Sequence, residues 1–71
     1  MKICFLGCGN IAQAIIDGLL KSDISSSDIA CIERNEHRVA LLIAQGLQII
    51  ELEDLASIDF DLIVLAVKPK D

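Results

Sequence analysis

The 71-residue sequence has no tryptophan, no tyrosine and only two phenylalanines. Whatever core it builds must therefore be aliphatic. Hydrophobic residues nevertheless make up 54% of the chain, against roughly 45–50% in ordinary globular proteins. A chain this short buries only about 60% of its unfolded surface on folding, so the aliphatic excess needs something to cover it. Basic residues are scarce, and the formal net charge of −5 argues against nucleic acid, which requires clustered Lys and Arg, and against an anionic membrane surface. Even the longest apolar runs, such as Leu62 to Val67, fall far short of the roughly 20 residues that cross a bilayer. Met1-Lys2-Ile3 passes straight into a strand-like run without the regions of a secretory signal, and a cytoplasmic setting is expected.

Cysteine is also limited. Cys4, Cys8 and Cys31 form neither an even set nor a CxxC pair, which excludes a disulfide framework or a zinc site as the basis of the fold; they read as reduced, small apolar fillers. A helix N-terminus lowers a thiol pKa, which would make Cys8 redox-sensitive, but the filler reading is preferred. His37 is the single histidine, has no partners at metal-ligand spacing and reads as solvent-facing. Glu51, Glu53, Asp54, Asp59 and Asp61 read as a solvated acidic turn. No metal site is expected, and there is no internal repeat, linker or low-complexity segment beyond the serines at 25–27.

What is present is an alternation of strand and helix. Residues 2–6 (KICFL) form an apolar run ending at Gly7, as a strand buried on both faces does. Ile11, Ile15, Gly18 and Leu19 then fall on one helical stripe, widened by Ala12, Ile16 and Leu20, predicting a helix over 10–21. "KSDISSSD" is a loop, and "IACI" (29–32) a second buried strand. Asn35 is a candidate N-cap for a helix over 36–45, with Gly46 at its C′ position. A third strand over 47–50, an acidic stretch forming one helical turn or a loop, and a fourth strand over 61–67 follow. This order, β-α-β-α-β-β, predicts an α/β fold with a doubly wound, Rossmann-like parallel sheet. Two helices cannot cover both faces of four such strands, so residues 1–71 read as the first part of a larger dinucleotide-binding domain whose uncovered apolar surface promotes self-association.

"LGCGNIAQAIIDGL" (6–19) carries the chemistry. In G-x-G-x-x-G/A the first glycine permits a tight turn, the second lets backbone approach a pyrophosphate, and the third small residue lets helix pack on strand; Gly7, Gly9 and Ala12 fill these places. The helix that follows turns its free N–H groups and the positive end of its dipole toward the turn. Glu33 stands at the tip of the second strand, where a carboxylate accepts from an adenosine ribose and points to NAD. A 2′-phosphate about 4 Å away would be repelled by roughly 1 to 4 kcal/mol per unit charge. Arg34 points the other way, since its guanidinium pairs with a phosphate or stacks on adenine, and Asn35 adds a donor. NAD and NADP both remain open.

Together with "LAVKP" at the end of the fourth strand, this glycine segment resembles the N-terminal part of pyrroline-5-carboxylate reductase, a family that completes proline synthesis. The resemblance covers essentially the whole chain and about the first quarter of a typical member. It implies that Leu6, Gly7, Cys8, Gly9, Asn10 and Ile11 lie against the nucleotide phosphates, that Glu33 and Arg34 lie by the adenosine ribose or its 2′-phosphate, and that Ala66, Val67, Lys68 and Pro69 line the nicotinamide side. Many members prefer NADPH and carry a small polar residue or Asn where Glu33 stands. The Ala66-Val67-Lys68-Pro69 segment argues against oxidoreductases with a similar opening that act on 3-hydroxyacids or deazaflavin. The implied reaction is hydride transfer to the C=N carbon of 1-pyrroline-5-carboxylate, giving L-proline. The family's helical substrate and dimerisation domain has no counterpart here, so no catalytic residue is assigned and the chain alone is expected to be inactive. The other class of reading is a non-catalytic nucleotide-binding or interaction module left by truncation.

Overall fold

The computed structural model of the chain describes residues 1–66. Four strands, β1 (Ile3–Leu6), β2 (Ile29–Ile32), β3 (Gln48–Ile49) and β4 (Leu62–Leu65), form one parallel sheet in the order β3-β2-β1-β4. Helices α1 (Asn10–Leu20) and α2 (Glu36–Ala44) connect β1 to β2 and β2 to β3. The chain thus moves outward from β1 on one side and returns to pair β4 on its other side. That is the strand order of the first four strands of a doubly wound sheet, with its topological switch point between β1 and β4.

Both helices pack on the same face. Ile3 and Phe5 of β1, Ile29 and Cys31 of β2, Ala12 and Ile16 of α1 and Leu42 of α2 share one buried cluster. Alternation along the strands sends Cys4, Leu6, Ala30 and Ile32 to the opposite face. On β4 the register puts Leu62 and Val64 on the helix face and Ile63 and Leu65 on the other. Leu62, Ile63 and Leu65 are 47%, 46% and 72% exposed, so the strand that reads as central in the sequence has little over it among the described residues. No helix among them is long and apolar enough to cross a membrane.

Three local expectations are corrected. The buried stripe of α1 is Ala12 and Ile16, with Leu19 and Leu20 partly buried, while Ile11 is 79% exposed and Ile15 and Gly18 also face outward. The serines are built structure: Ser22 Oγ donates to the Leu19 carbonyl at 2.6 Å, and Ser25 caps a short 3-10 turn, Ser26–Asp28, that feeds β2. The strand bounds contract to two residues for β3 and four for β4. The acidic stretch takes the helical of its two expected forms, a 3-10 turn over Leu52–Ala56.

The two ends of α2 are as expected. Asn35 Oδ1 accepts from the Arg38 N–H at 3.1 Å, satisfying a first-turn donor. At the other end Gly46 has φ +88, and the Leu47 N–H reaches the Leu42 carbonyl at 3.1 Å while the Gly46 N–H reaches Ile43 at 2.9 Å. This pair of bonds is a Schellman motif, with buried Leu47 and Leu42 as its apolar contact.

Candidate functional site

Three strand ends and two helix starts meet at one edge of the sheet. The turn after β1 is fixed by Gly7, whose φ of +85 lies in the left-handed region, and by its N–H donating to the Ile32 carbonyl at 2.9 Å. The Ala66 N–H donates to the Leu6 carbonyl at 2.9 Å, which holds the end of β4 beside the same turn. The switch-point crevice is therefore floored by Leu6, Gly7 and Ala66. Val67, Lys68 and Pro69, the remaining nicotinamide-side residues expected from sequence, lie outside the described residues.

Gly9 is the N-cap of α1, with φ −83 and ψ −166, a conformation open to any residue. A Cβ added there would meet nothing within 4 Å. Among the described residues, neither backbone strain nor packing requires glycine at position 9. No side chain caps α1 and its first turn carries no acid, so the helix presents unpaired N–H groups of Asn10 and Ile11 and a positive dipole end, an arrangement suited to an anion. The exposed side chain of Ile11 makes no difference to this, because the backbone is the donor.

Glu33 follows β2 and is fully engaged by backbone. Its Oε1 accepts the Cys8 N–H at 2.8 Å, and its Oε2 accepts the N–H groups of Arg34 at 3.1 Å and Asn35 at 2.9 Å. On one side of it, a cleft of about 290 Å³ is bounded by Gly7, Gly9, Asn35 and Arg38. Arg38 Nη2 also donates to Asn10 Oδ1 at 3.3 Å, bridging α2 to the start of α1. Sequence reasoning passed over Arg38; the available signal was a base on the first turn of the helix that follows the Glu33 strand end. On the other side, a cleft of about 590 Å³ lies between Leu6, Ile32, Glu33 and Arg34 and the segment from Ile50 to Glu53. The smaller cleft thus carries Arg38 beside Glu33, and the larger one Arg34 together with Glu51 and Glu53.

The Cys8 side chain turns away from the crevice into the core, against Cys31. Burial raises its pKa, Glu33 raises it further and Arg38 opposes, so the activation expected from a helix N-terminus does not prevail. Cys31 is pushed up to about 12 from 9.0, first by burial and then by the neighbouring Cys8 and Cys4. A thiol whose folded pKa is raised contributes stability in its protonated form, and that contribution falls as pH rises above the unfolded pKa. Denaturant midpoints measured from pH 8 to 11 should therefore fall above about pH 9, and Cys31→Ala should flatten the decline.

Residues 2–71 match the family model described as "NADP oxidoreductase coenzyme F420-dependent". Among curated proteins, the chain is 36% identical to pyrroline-5-carboxylate reductase of Pasteurella multocida (strain Pm70), over 97% of the chain and 26% of that protein. It is 37% identical to the Haemophilus influenzae protein of the same name, over 96% of the chain and 25% of that protein. Pyrroline-5-carboxylate reductase 1 of Bacillus spizizenii is 30% identical, over 99% of the chain and 25% of its own length. The chain thus spans about a quarter of the length of these relatives. No solved structure matches it. With its parallel sheet, glycine turn and open helix start, the chain belongs to the NADP oxidoreductase, coenzyme F420-dependent family and forms part of a nicotinamide dinucleotide-binding domain.

Proposed function

We propose that this chain is the cofactor-binding portion of a reductase that transfers hydride to the C=N carbon of 1-pyrroline-5-carboxylate, giving L-proline, and that it prefers NADPH to NADH. The observation that carries the cofactor reading is the uncapped start of α1 behind the Gly7 turn, where Gly9 leaves open space among the described residues. The substrate reading rests on the three relatives named pyrroline-5-carboxylate reductase.

The first turn of α1 receives the pyrophosphate through backbone N–H groups. Arg38 and Arg34 supply positive charge for a 2′-phosphate. Glu33 lies beside them, and its carboxylate oxygens are turned to three backbone donors, which lessens its objection to the phosphate. The larger cleft, lined by Arg34 as well as Glu51 and Glu53, suits the uncharged adenine. When bound, the nicotinamide supplies the hydride, and the protein contributes orientation and electrostatics. Ala66, tied to Leu6, sets the floor on that side, and Val67, Lys68 and Pro69 complete it by resemblance.

The substrate pocket and the dimerisation surface belong, on this reading, to sequence outside these residues. The same sequence would cover Leu62, Ile63 and Leu65 of β4; in its absence the chain self-associates through them. The cysteines, all free, fit a reducing cytoplasmic setting. The family's description also names coenzyme F420, a deazaflavin, which Ala66-Val67-Lys68-Pro69 argues against.

Separate titrations with NADPH, NADH and F420, followed through amide nitrogen–proton correlations, test the assignment. NADPH is expected to bind at least about tenfold more tightly than NADH, a difference of about 1.4 kcal/mol, and to shift Gly7, Gly9 and Asn10 first. Preference for NADH would reverse the cofactor assignment, and tightest binding of F420 would remove the reductase reading.

A further inference from the structure

Resting on that cofactor reading, we propose that Glu33 is a positioning residue that ties the glycine turn to the end of β2, and that both NADPH and NADH binding depend on this tie. Three observations carry the inference. Glu33 Oε1 bonds the Cys8 N–H at 2.8 Å across 25 residues of sequence, so one carboxylate oxygen links the turn after β1 to the turn after β2. Its Oε2 takes the Arg34 and Asn35 N–H groups, which fixes the carboxylate plane from behind. The donor it consumes, Cys8, is the one whose side chain points into the core, while the N–H groups of Asn10 and Ile11 at the uncapped start of α1 stay free.

A residue serving only to reject a 2′-phosphate would aim its carboxylate at the ribose position and leave the turn alone. Here the Glu33 carboxylate accepts three backbone N–H groups, one of them from the glycine turn itself. The Gly7 N–H to Ile32 carbonyl bond, also at 2.9 Å, joins the same two segments and shares the work. Charged groups surrounding Glu33 are Arg38 in the smaller cleft and Arg34, Glu51 and Glu53 in the larger one.

The tie and the discriminator roles differ in what Glu33→Ala does. Loss of a discriminator weakens NADH and strengthens NADPH. Loss of a tie weakens both, because the free N–H groups are no longer held in register with the phosphate. Charge-assisted hydrogen bonds of this kind correspond to about tenfold or more in affinity.

The experiment has two arms on the full chain. In the first, without cofactor, amide shifts of wild type, Glu33→Gln and Glu33→Ala are compared at one pH: Cys8, Arg34 and Asn35 are expected to move together on loss of the carboxylate, Cys8 most in Glu33→Ala. In the second, NADPH and NADH affinities are measured for wild type, Glu33→Gln and Glu33→Ala. Both cofactors are expected to weaken about tenfold in Glu33→Ala, with Glu33→Gln intermediate because its amide oxygen still accepts from Cys8. A Cys8 amide unmoved in Glu33→Ala, or an NADPH affinity that rises in either variant, overturns the proposal. If Glu33→Ala fails to fold, the Gln variant decides. Wild type that binds neither cofactor refutes the cofactor reading and the dependence on it, and the amide arm still reports whether the tie exists.

Discussion

Gly9→Asp is expected to reduce NADPH affinity at least about 100-fold, a loss of about 2.7 kcal/mol, while leaving the folded chain as stable as before. The two halves of that result come from the same geometry. Position 9 is the N-cap of α1, its φ of −83 and ψ of −166 suit any residue, and a Cβ there meets nothing within 4 Å. Asp is a better N-cap than Gly by a few tenths of a kcal/mol, and a carboxylate at a helix N-terminus gains about 0.3–1 kcal/mol from the dipole. Glu33, bonded to the adjacent Cys8 N–H, repels the new charge, and Arg38 in the same cleft offsets the repulsion. For a bound dinucleotide the balance is one-sided: the carboxylate takes the N–H groups meant for the pyrophosphate and repels each phosphate charge by roughly 1 to 4 kcal/mol at about 4 Å. Thermal unfolding followed by circular dichroism and an NADPH titration of the same sample read the two halves together. Retention of affinity within about threefold, roughly 0.7 kcal/mol, would mean that the glycine turn does not seat the cofactor.

Features whose physics is local were legible in the sequence. The Asn35 cap, the Gly46 stop and the glycine turn each need one residue type at one backbone position, and each stands where the pattern put it. The buried face of α1 was not, because the helix is apolar over most of its circumference and its periodicity admits two stripes. Only the seat of the helix over Ile3 and Phe5 selects Ala12 and Ile16 over Ile11 and Ile15. Arg38 and the bond from Glu33 to Cys8 are tertiary in the same sense: the fold class sets β1 beside β2, but nothing in the spacing of residues 8, 33 and 38 reveals which atoms of their turns bond. The backbone signals of the turn and the caps were therefore readable, while the way Glu33, Cys8 and Arg38 meet was not.

Phe5→Ala is the substitution with the largest expected effect on the fold itself. Phe5 is fully buried on β1, the strand paired on both sides, opposite Cys31 of β2 and Val64 of β4, and it shares the core cluster with Ala12, Ile16 and Leu42. Truncating a buried Phe costs about 3–5 kcal/mol through lost transfer energy and the cavity left behind. A chain of this length has roughly 4–10 kcal/mol in total, at 0.05–0.15 kcal/mol per residue, and with no Trp or Tyr to close the gap the variant is expected to be largely unfolded at 37 °C. Leu41→Ala, at a position 51% exposed on α2, should move the urea midpoint by no more than about 0.5 kcal/mol equivalent and serves as the comparison. Because the dinucleotide binds only the folded chain, NADPH at about 100 times its Kd should restore about 2.7 kcal/mol to Phe5→Ala and recover much of its folded signal. No such recovery is available to Gly9→Asp, which is folded without a seat for the ligand. Absence of rescue in Phe5→Ala at that concentration would mean that the cavity under β1 had deformed the glycine turn, two residues further along the same strand end.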